Sequence, residues 1–438
     1  MDIIVFPGGL DGAVSAVPSK SQAHRALICA ALADKPTRII CDSESGDISA
    51  TIACLTALGA EITYEPGGYC VSPMTVRRDL CPRGQESGVR EQETETTSVI
   101  LHCGESGSTF RFLLPIVCAL GRNVSFIPRG RLPQRPLSPL ADELISHGCS
   151  LSTQGSVPFH TSGQLVPGCY SMDAGVSSQF ISGLLFALPL LKGDSELRLT
   201  GRADSFPYIE LTLEALKAFG VTIEFDGTVF SIPGGQIFKA PDLVNIEGDW
   251  SNAAFWMGAG AVGAGKITCT GMDLRSRQGD RAIIDILQEF GARVEIENYA
   301  VTVTGGDLKG LEIDARNIPD LVPILAVVAA SAEGITVIRN AGRLRDKESD
   351  RLSAITDVMR GLGSDVIQTE DGLVIRGSTA LKGGQVSSHG DHRIAMAAAI
   401  AATNCTKEVE ILGADAVSKS YPGFFDDFRS LGGKVVES

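Results

Sequence analysis

The chain is 438 residues long, 44% hydrophobic and 21% charged, which excludes a disordered chain and supplies material for two cores rather than one. Its net charge of −14 argues against broad contact with nucleic acid or anionic membranes, without forbidding a basic pocket inside an acidic shell. Eleven cysteines, with no C-x-x-C pair, exclude a disulfide framework or a zinc site as organiser and fit reduced thiols in a cytoplasm.

The N-terminal stretch MDIIVFPGGLDGAV has no basic run followed by an apolar one, so it does not read as a leader peptide. Within it, Ile3–Phe6 reads as a strand. From Lys20, SKSQAHRALICAALA is a small polar turn leading into an apolar helix. LTALGAEITYE then reads as the end of an amphipathic helix, closed by Gly59, followed by an alternating strand. The polar, charged run from Arg77 to Ser98 reads as a surface hairpin or loop extension.

The same two patterns then return five times. SGSTFRFLLPIV opens near Gly107 and LISHGCSLST carries Gly148. VSSQFISGLLFAL opens near Ser177 and LKAFGVTIEF carries Gly220. DWSNAAFWMGAGA opens near Ser251 and LQEFGARVEIE carries Gly291. IPDLVPILAVVAA opens near Asp320 and MRGLGSDVIQT carries Gly363. GDHRIAMAAAIAA opens near Asp391 and FRSLGGKVVES carries Gly432. The glycines are spaced by 89, 72, 71, 72 and 69 residues, and the helix starts by 87, 70, 74, 69 and 71. Two independent landmarks share one period, the mark of a repeat-built chain. The first step is long in both series because it contains the charged run.

Six units of this kind predict an α/β fold of two similar domains. Each domain has three repeats, with buried parallel helices inside a shell of sheets and amphipathic helices, an inside-out α/β barrel. A helix apolar on all sides must be buried on all sides, and runs such as Ala253–Val262 are too short to span a membrane. The expected domains are residues 19–246, carrying the polar insertion near 77–98, and residues 1–18 together with 247–438. The chain crosses between them near 18–20 and 240–248.

Helix N-termini expose unpaired N–H groups and positive partial charge, so six equivalent helix starts on one face would attract phosphates and carboxylates. The residues at those starts are Lys20, Ser21 and Arg25; Gly107 and Ser108; Ser177, Ser178 and Gln179; Asp320; and Asp391, His392 and Arg393. Ser, Asp and Gly are also ordinary caps. Lys20, Arg25 and Arg393 oppose the dipole and need another reason to be there. Connecting segments add Arg129, Arg131 and Arg135, then Arg343, Arg345, Lys347, Glu348, Asp350 and Arg351, then Lys419. Lys347 and Arg351 are like charges at i,i+4, which repel unless an anion lies between them. His389 and His392 form H-x-x-H without a third ligand, so no metal site is assigned, and no phosphate-binding Gly-rich fingerprint follows a strand.

PSKSQAHRA, GESGSTFR, PQRPL, VSSQF, SFPYIE, KESDRL, GDHRIAM and SKSYPGFF resemble, in order and over almost the whole chain, the signature segments of the 5-enolpyruvylshikimate-3-phosphate (EPSP) synthase family. The resemblance implies transfer of the enolpyruvyl group of phosphoenolpyruvate to shikimate 3-phosphate, between two domains that close on the substrates. It implies that Lys20, Ser21, Arg25, Ser177, Ser178, Gln179, Ser205, Tyr208, Asp320 and Lys347 hold shikimate 3-phosphate. Lys20, Gly107, Arg135, Gln179, Arg351, Arg393 and Lys419 would hold phosphoenolpyruvate. Asp320, Glu348 and Lys20 would be catalytic, with His392 assisting. No metal or organic cofactor is implied. The expected partners are these small anions, with no nucleic acid and no membrane, and the chain is expected to act as a cytoplasmic monomer.

The sequence departs from the family at Glu105, where many members have Asn, and at Arg343, where some have a substrate-contacting Asn. Neither position is carried over. Gly107 is the small residue the family needs beside phosphoenolpyruvate and implies a glyphosate target, with Glu105 and Ser108 as its unusual neighbours. The nearest rival is the related transferase acting on UDP-N-acetylglucosamine, which has an Asn after its first Lys and a reactive Cys on a loop. Here Ser21 follows Lys20, and Arg129–Pro136 contains no Cys. A repeat-built binding protein is the rival from a different class, and it would not need Asp320 and Glu348 beside so many cations.

Overall fold

A computed structural model describes residues 1–75, 98–202, 204–377 and 381–438. The expected extension at 77–98 therefore lies, but for Ser98, outside the described residues.

The sixfold period is visible as six four-stranded sheets of one topology. Each has a parallel edge pair followed by two antiparallel pairings. In the first sheet Leu243–Asn245 runs parallel to Thr37–Ile40, which pairs antiparallel with Gly68–Ser72, which pairs antiparallel with Glu61–Glu65. The edge strand of this sheet thus comes from the far end of three repeats. Gly12–Ser15 plays the same part for Lys266–Thr270 in another sheet. Ile3–Val5 sits between Val409–Leu412 and Val435–Glu437 in the sixth. In every unit the amphipathic helix ends at the expected glycine. Gly59, Gly148, Gly220, Gly291, Gly363 and Gly432 have φ of 101°, 102°, 72°, 105°, 90° and 89°, the left-handed region that ends a helix and turns the chain into the next strand.

The six apolar helices are Lys20–Ala31, Gly107–Ala119, Ser178–Ala187, Trp250–Val262, Val322–Ser331 and His392–Thr403. They are buried along nearly their whole length, as all-round apolar helices must be. Apolar side chains form two separate clusters. One is built from residues between Ala23 and Ala240. The other is built from Ile3–Val14 and residues between Trp250 and Val435. Four helix starts differ from expectation: the third and sixth helices begin one residue later, at Ser178 and His392, because Ser177 and Asp391 cap them. The fourth helix begins at Trp250 rather than Ser251, because the Asp249 carboxylate caps it by accepting the Asn252 N–H at 2.8 Å. Asp320 lies in a short 3-10 turn, Pro319–Leu321, ahead of the fifth helix, whose second residue, Pro323, has no N–H to donate. Among the described residues no helix is long and apolar enough to cross a membrane, and no cluster of His, Cys, Asp and Glu is arranged to hold a metal ion.

Small residues set the helix spacing. A Cβ on Gly183 would lie 2.4 Å from the Arg111 carbonyl oxygen and 3.0 Å from Pro115 Cγ. Backbone cannot yield as a side-chain tip can. Gly183→Ala should therefore lose stability despite alanine's better helix propensity, by roughly 1–3 kcal/mol as overpacking does. A fall in the thermal unfolding midpoint is the readout.

Candidate active site

All six buried helices point their starts at one cavity. Lys20, Gly107, Ser178, Asp249, Asp320 and His392 line it, one from each unit. Their backbone N–H groups and dipoles make the cavity wall electropositive. Side chains add to this: Lys20, Arg25, Arg111, Arg135, Arg343, Lys347, Arg351 and Arg393 line it, against Asp47, Asp249, Asp320, Asp346 and Glu348. Eight cations facing five carboxylates leave a net positive pocket in an acidic protein.

Arg351, buried at the start of the Arg351–Gly361 helix, organises one wall. Its Nη1 donates to Asp320 at 2.8 Å, its Nη2 to Glu348 at 2.7 Å, and its Nε to Asp391 at 2.7 Å. Asp320 also accepts from Arg393 Nη2 at 2.9 Å and lies 3.7 Å from Lys347 Nζ. The anion that reconciles the like charges of Lys347 and Arg351 is thus Asp320. Burial raises the proton affinity of Asp320, but Arg393, Lys347 and Arg351 outweigh it and hold the carboxyl far below the usual carboxylate range. Glu348 is held low against the same burial by Arg351, then Arg135 and Lys20.

The opposite wall is set by the first three helices. Lys20 Nζ donates to Asp47 at 2.7 Å. Burial favours its neutral form, but Asp47 and Glu348 win and keep it protonated. Arg25 spends Nε on Thr212 and its Nη groups on the carbonyls of Ser21 and Tyr208, so it fixes these two residues in place. Gly107 lets Arg135 in: a Cβ there would be 2.8 Å from Arg135 Nη1. Arg135 Nε reaches across to the Asp346 carbonyl at 2.8 Å. Gln179 accepts from Arg111 at 2.8 Å and donates to Ser108 at 3.0 Å. Ser205, at φ 55°, accepts from Arg343 Nη2. Tyr208 shares its hydroxyl between Asp320 at 3.3 Å and Asp280 at 3.4 Å. His392 is buried with neither ring nitrogen bonded. Burial, then Lys20 and Arg393, keep it neutral.

A cavity so lined can hold two anions side by side and keep two carboxylates and a lysine against them. The family model of EPSP synthase (3-phosphoshikimate 1-carboxyvinyltransferase) matches residues 6–428. The chain belongs to the EPSP synthase family. It is 43% identical to the 3-phosphoshikimate 1-carboxyvinyltransferase of Clostridium kluyveri over 99% of this chain and 98% of the relative. It is also 43% identical to that of Clostridium perfringens over 99% of each. The solved EPSP synthase of Acinetobacter baumannii superposes over all of both chains with a TM-score of 0.79 at 26% identity.

Of the positions that the EPSP synthase resemblance singled out, Lys20, Ser21, Arg25, Gly107, Arg135, Ser177, Ser178, Gln179, Ser205, Tyr208, Asp320, Lys347, Glu348, Arg351, His392 and Arg393 all line the cavity. Lys419 does not. Its ammonium is taken by Glu105 at 2.6 Å and the Gly390 carbonyl at 2.7 Å. Sequence reasoning missed Asp47, Arg111, Asp249 and the role of Asp391. Arg111 had a signal, as the lone cation inside the apolar run TFRFLLP. The aspartates share a Gly-Asp dipeptide at 46–47, 248–249 and 390–391, but the pair also occurs at 193–194, 279–280 and 306–307, outside the cavity lining.

Lys347 is pushed down to about 8, by burial first and then by Arg351 and Arg343. Buried Asp280 is raised to about 7, by burial and then by Asp320. Rising pH therefore removes a positive charge near pH 8 and adds a negative one near pH 7. Both weaken anion binding. Affinity for sulfate, whose charge is constant over this range, should begin to fall as pH rises through 7 and fall further above pH 8, where Lys347 adds its limb, by at most about tenfold per unit for each proton lost. Titration calorimetry reads it. Lys347→Arg, which stays charged, should flatten that limb.

Proposed function

We propose that this chain transfers the enolpyruvyl group of phosphoenolpyruvate to the 5-hydroxyl of shikimate 3-phosphate and releases phosphate. Membership of the EPSP synthase family supports this reading. The observation that carries it is the convergence of six helix starts and the full set of cations on one cavity. Residues 19–246 would form one domain, and residues 1–18 with 247–438 the other, as the two separate apolar clusters support. The cavity takes walls from both.

In this reading Ser21, Arg25, Ser177, Ser178, Gln179, Ser205, Tyr208 and Lys347 hold shikimate 3-phosphate, and Lys20, Arg135, Gln179, Arg351, Arg393 and Lys419, beside Gly107, hold phosphoenolpyruvate, Lys419 after leaving Glu105. Guanidinium groups suit both anions because they grip carboxylate and phosphate in two-point fashion. Asp320 takes the hydroxyl proton as the oxygen bonds to C2. In the empty site Asp320 is too weak a base, because Arg393, Lys347 and Arg351 stabilise its charge. Anions that claim those cations return its basicity, so the base is armed by substrate. Protonated Lys20 supplies the proton that C3 gains. Ionised Glu348 removes a proton from that carbon in the second step, as the C2–O bond to phosphate breaks and phosphate leaves.

Phosphate release from phosphoenolpyruvate with shikimate 3-phosphate tests the reading. Release with UDP-N-acetylglucosamine alone would point to the related transferase, and none with either acceptor to a binding protein. Glu348→Gln should keep substrate binding and lower kcat about 10²–10⁴-fold, the usual worth of a proton-transfer group. Wild-type turnover would remove Glu348 from the chemistry. Arg393→Ala should mainly raise KM for phosphoenolpyruvate, by roughly tenfold or more, since a charge-assisted bond contributes ~1.5–3 kcal/mol.

A further inference from the structure

Lys419 sits just outside the cavity, and what holds it there is an acid. Its ammonium donates to Glu105 Oε2 at 2.6 Å and to the Gly390 carbonyl at 2.7 Å. Each contact lies next to a helix start. Glu105 precedes Ser106, which caps the Gly107 helix. Gly390 precedes Asp391, which caps the His392 helix. The two helices belong to different apolar clusters, so Lys419 ties together the starts of two cavity-lining helices from the two cores. The Glu105 carboxylate lies against Gly130, a glycine at φ 57° whose Cβ would stand 2.6 Å from Glu105 Cδ, a contact the flexible side chain could relieve. The backbone of Lys419 is close to the cavity. Its Cα lies 3.8 Å from where a Gly46 Cβ would stand, and Gly46 is the neighbour of cavity-lining Asp47. The Lys419 side chain therefore starts from backbone beside the cavity, and its ammonium is held by Glu105 and the Gly390 carbonyl.

We propose that Glu105 is a built-in competitor for the phosphoenolpyruvate anion: it holds Lys419 out of the empty cavity, and the arriving anion must take Lys419 from it. Glu105 thereby sets the affinity for phosphoenolpyruvate without touching the reacting atoms. This rests on the reading of Lys419 as a phosphoenolpyruvate contact, made above from family resemblance. The carboxylate is the same chemical group that phosphoenolpyruvate itself presents, so the exchange swaps one ion pair for another, and part of the binding energy is spent on breaking the first. The pair is partly exposed, with side-chain exposure of 22% for Lys419 and 39% for Glu105, so its effect is moderate.

The test uses steady-state kinetics of the full chain with Glu105→Gln, Lys419→Met and the double variant. Glu105→Gln should lower KM for phosphoenolpyruvate about fivefold, the scale of a partly exposed ion pair, and leave KM for shikimate 3-phosphate unchanged. In the Lys419→Met background the Glu105 change should have no effect, a non-additivity that a merely structural role would not produce. An unchanged or higher KM for phosphoenolpyruvate in Glu105→Gln, alongside a large rise in Lys419→Met, overturns the competitor role alone. A wild-type KM in Lys419→Met overturns the reading of Lys419, and the inference with it.

Discussion

Arg351 is 2% exposed, and its guanidinium is spent on three carboxylates from three segments: Asp320, Glu348 and Asp391. A buried charge without partners would cost several kcal/mol, and a buried pair holds only when its remaining donors are also satisfied. Here every face of the guanidinium is engaged. Removing any one carboxylate would leave a donor stranded, and removing Arg351 would set three anions facing one another. The geometry of the fifth and sixth repeats is locked to this one side chain. Asp320 comes from the turn before one buried helix, Asp391 from the cap of the next, and Arg351 from the helix between them in sequence.

That lock has a chemical consequence. A carboxylate pinned by Arg351, Arg393 and Lys347 is fully charged and a poor proton acceptor. Guanidinium and ammonium groups are also the kind that grip phosphate and carboxylate. In this structure the protein's own anions neutralise them: Asp320 for Arg393 and Arg351, Asp47 for Lys20, Glu105 for Lys419. Such counter-ions keep a cluster of cations stable, since like charges packed together without them would repel strongly at low dielectric. At Asp320 the pairing also sets reactivity, because Arg393, Lys347 and Arg351 are what hold its proton affinity down.

The repeat architecture makes such a cluster affordable. Six buried helices aim their positive ends at one cavity, so much of the field comes from backbone amides that need no desolvated side chain. The limits on packing are steric: a Cβ on Gly107 would push the Arg135 guanidinium aside, and Gly183 must lack one for two helices to meet at the Arg111 carbonyl. The left-handed glycines do the repetitive work of turning each amphipathic helix into its strand.

The period, the six closing glycines, the apolar helices and the cations at their starts were legible in the sequence, because each is a local pattern of residue type and spacing. So were most cavity residues, through motifs that keep their order along the chain. What the sequence left open was partnership. Nothing local says that Asp320 stands between Lys347 and Arg351, that Asp391 caps a helix and binds Arg351 as well, or that Arg111 braces Gln179. Lys419 looked like one more member of the anion site, and only the tertiary structure placed it on Glu105, 314 residues away in the chain. Local pattern determines which residues are helix starts and which are charged. Which charge neutralises which is decided by how separate repeats pack, and the energies of such pairs depend on distance and burial that no spacing encodes.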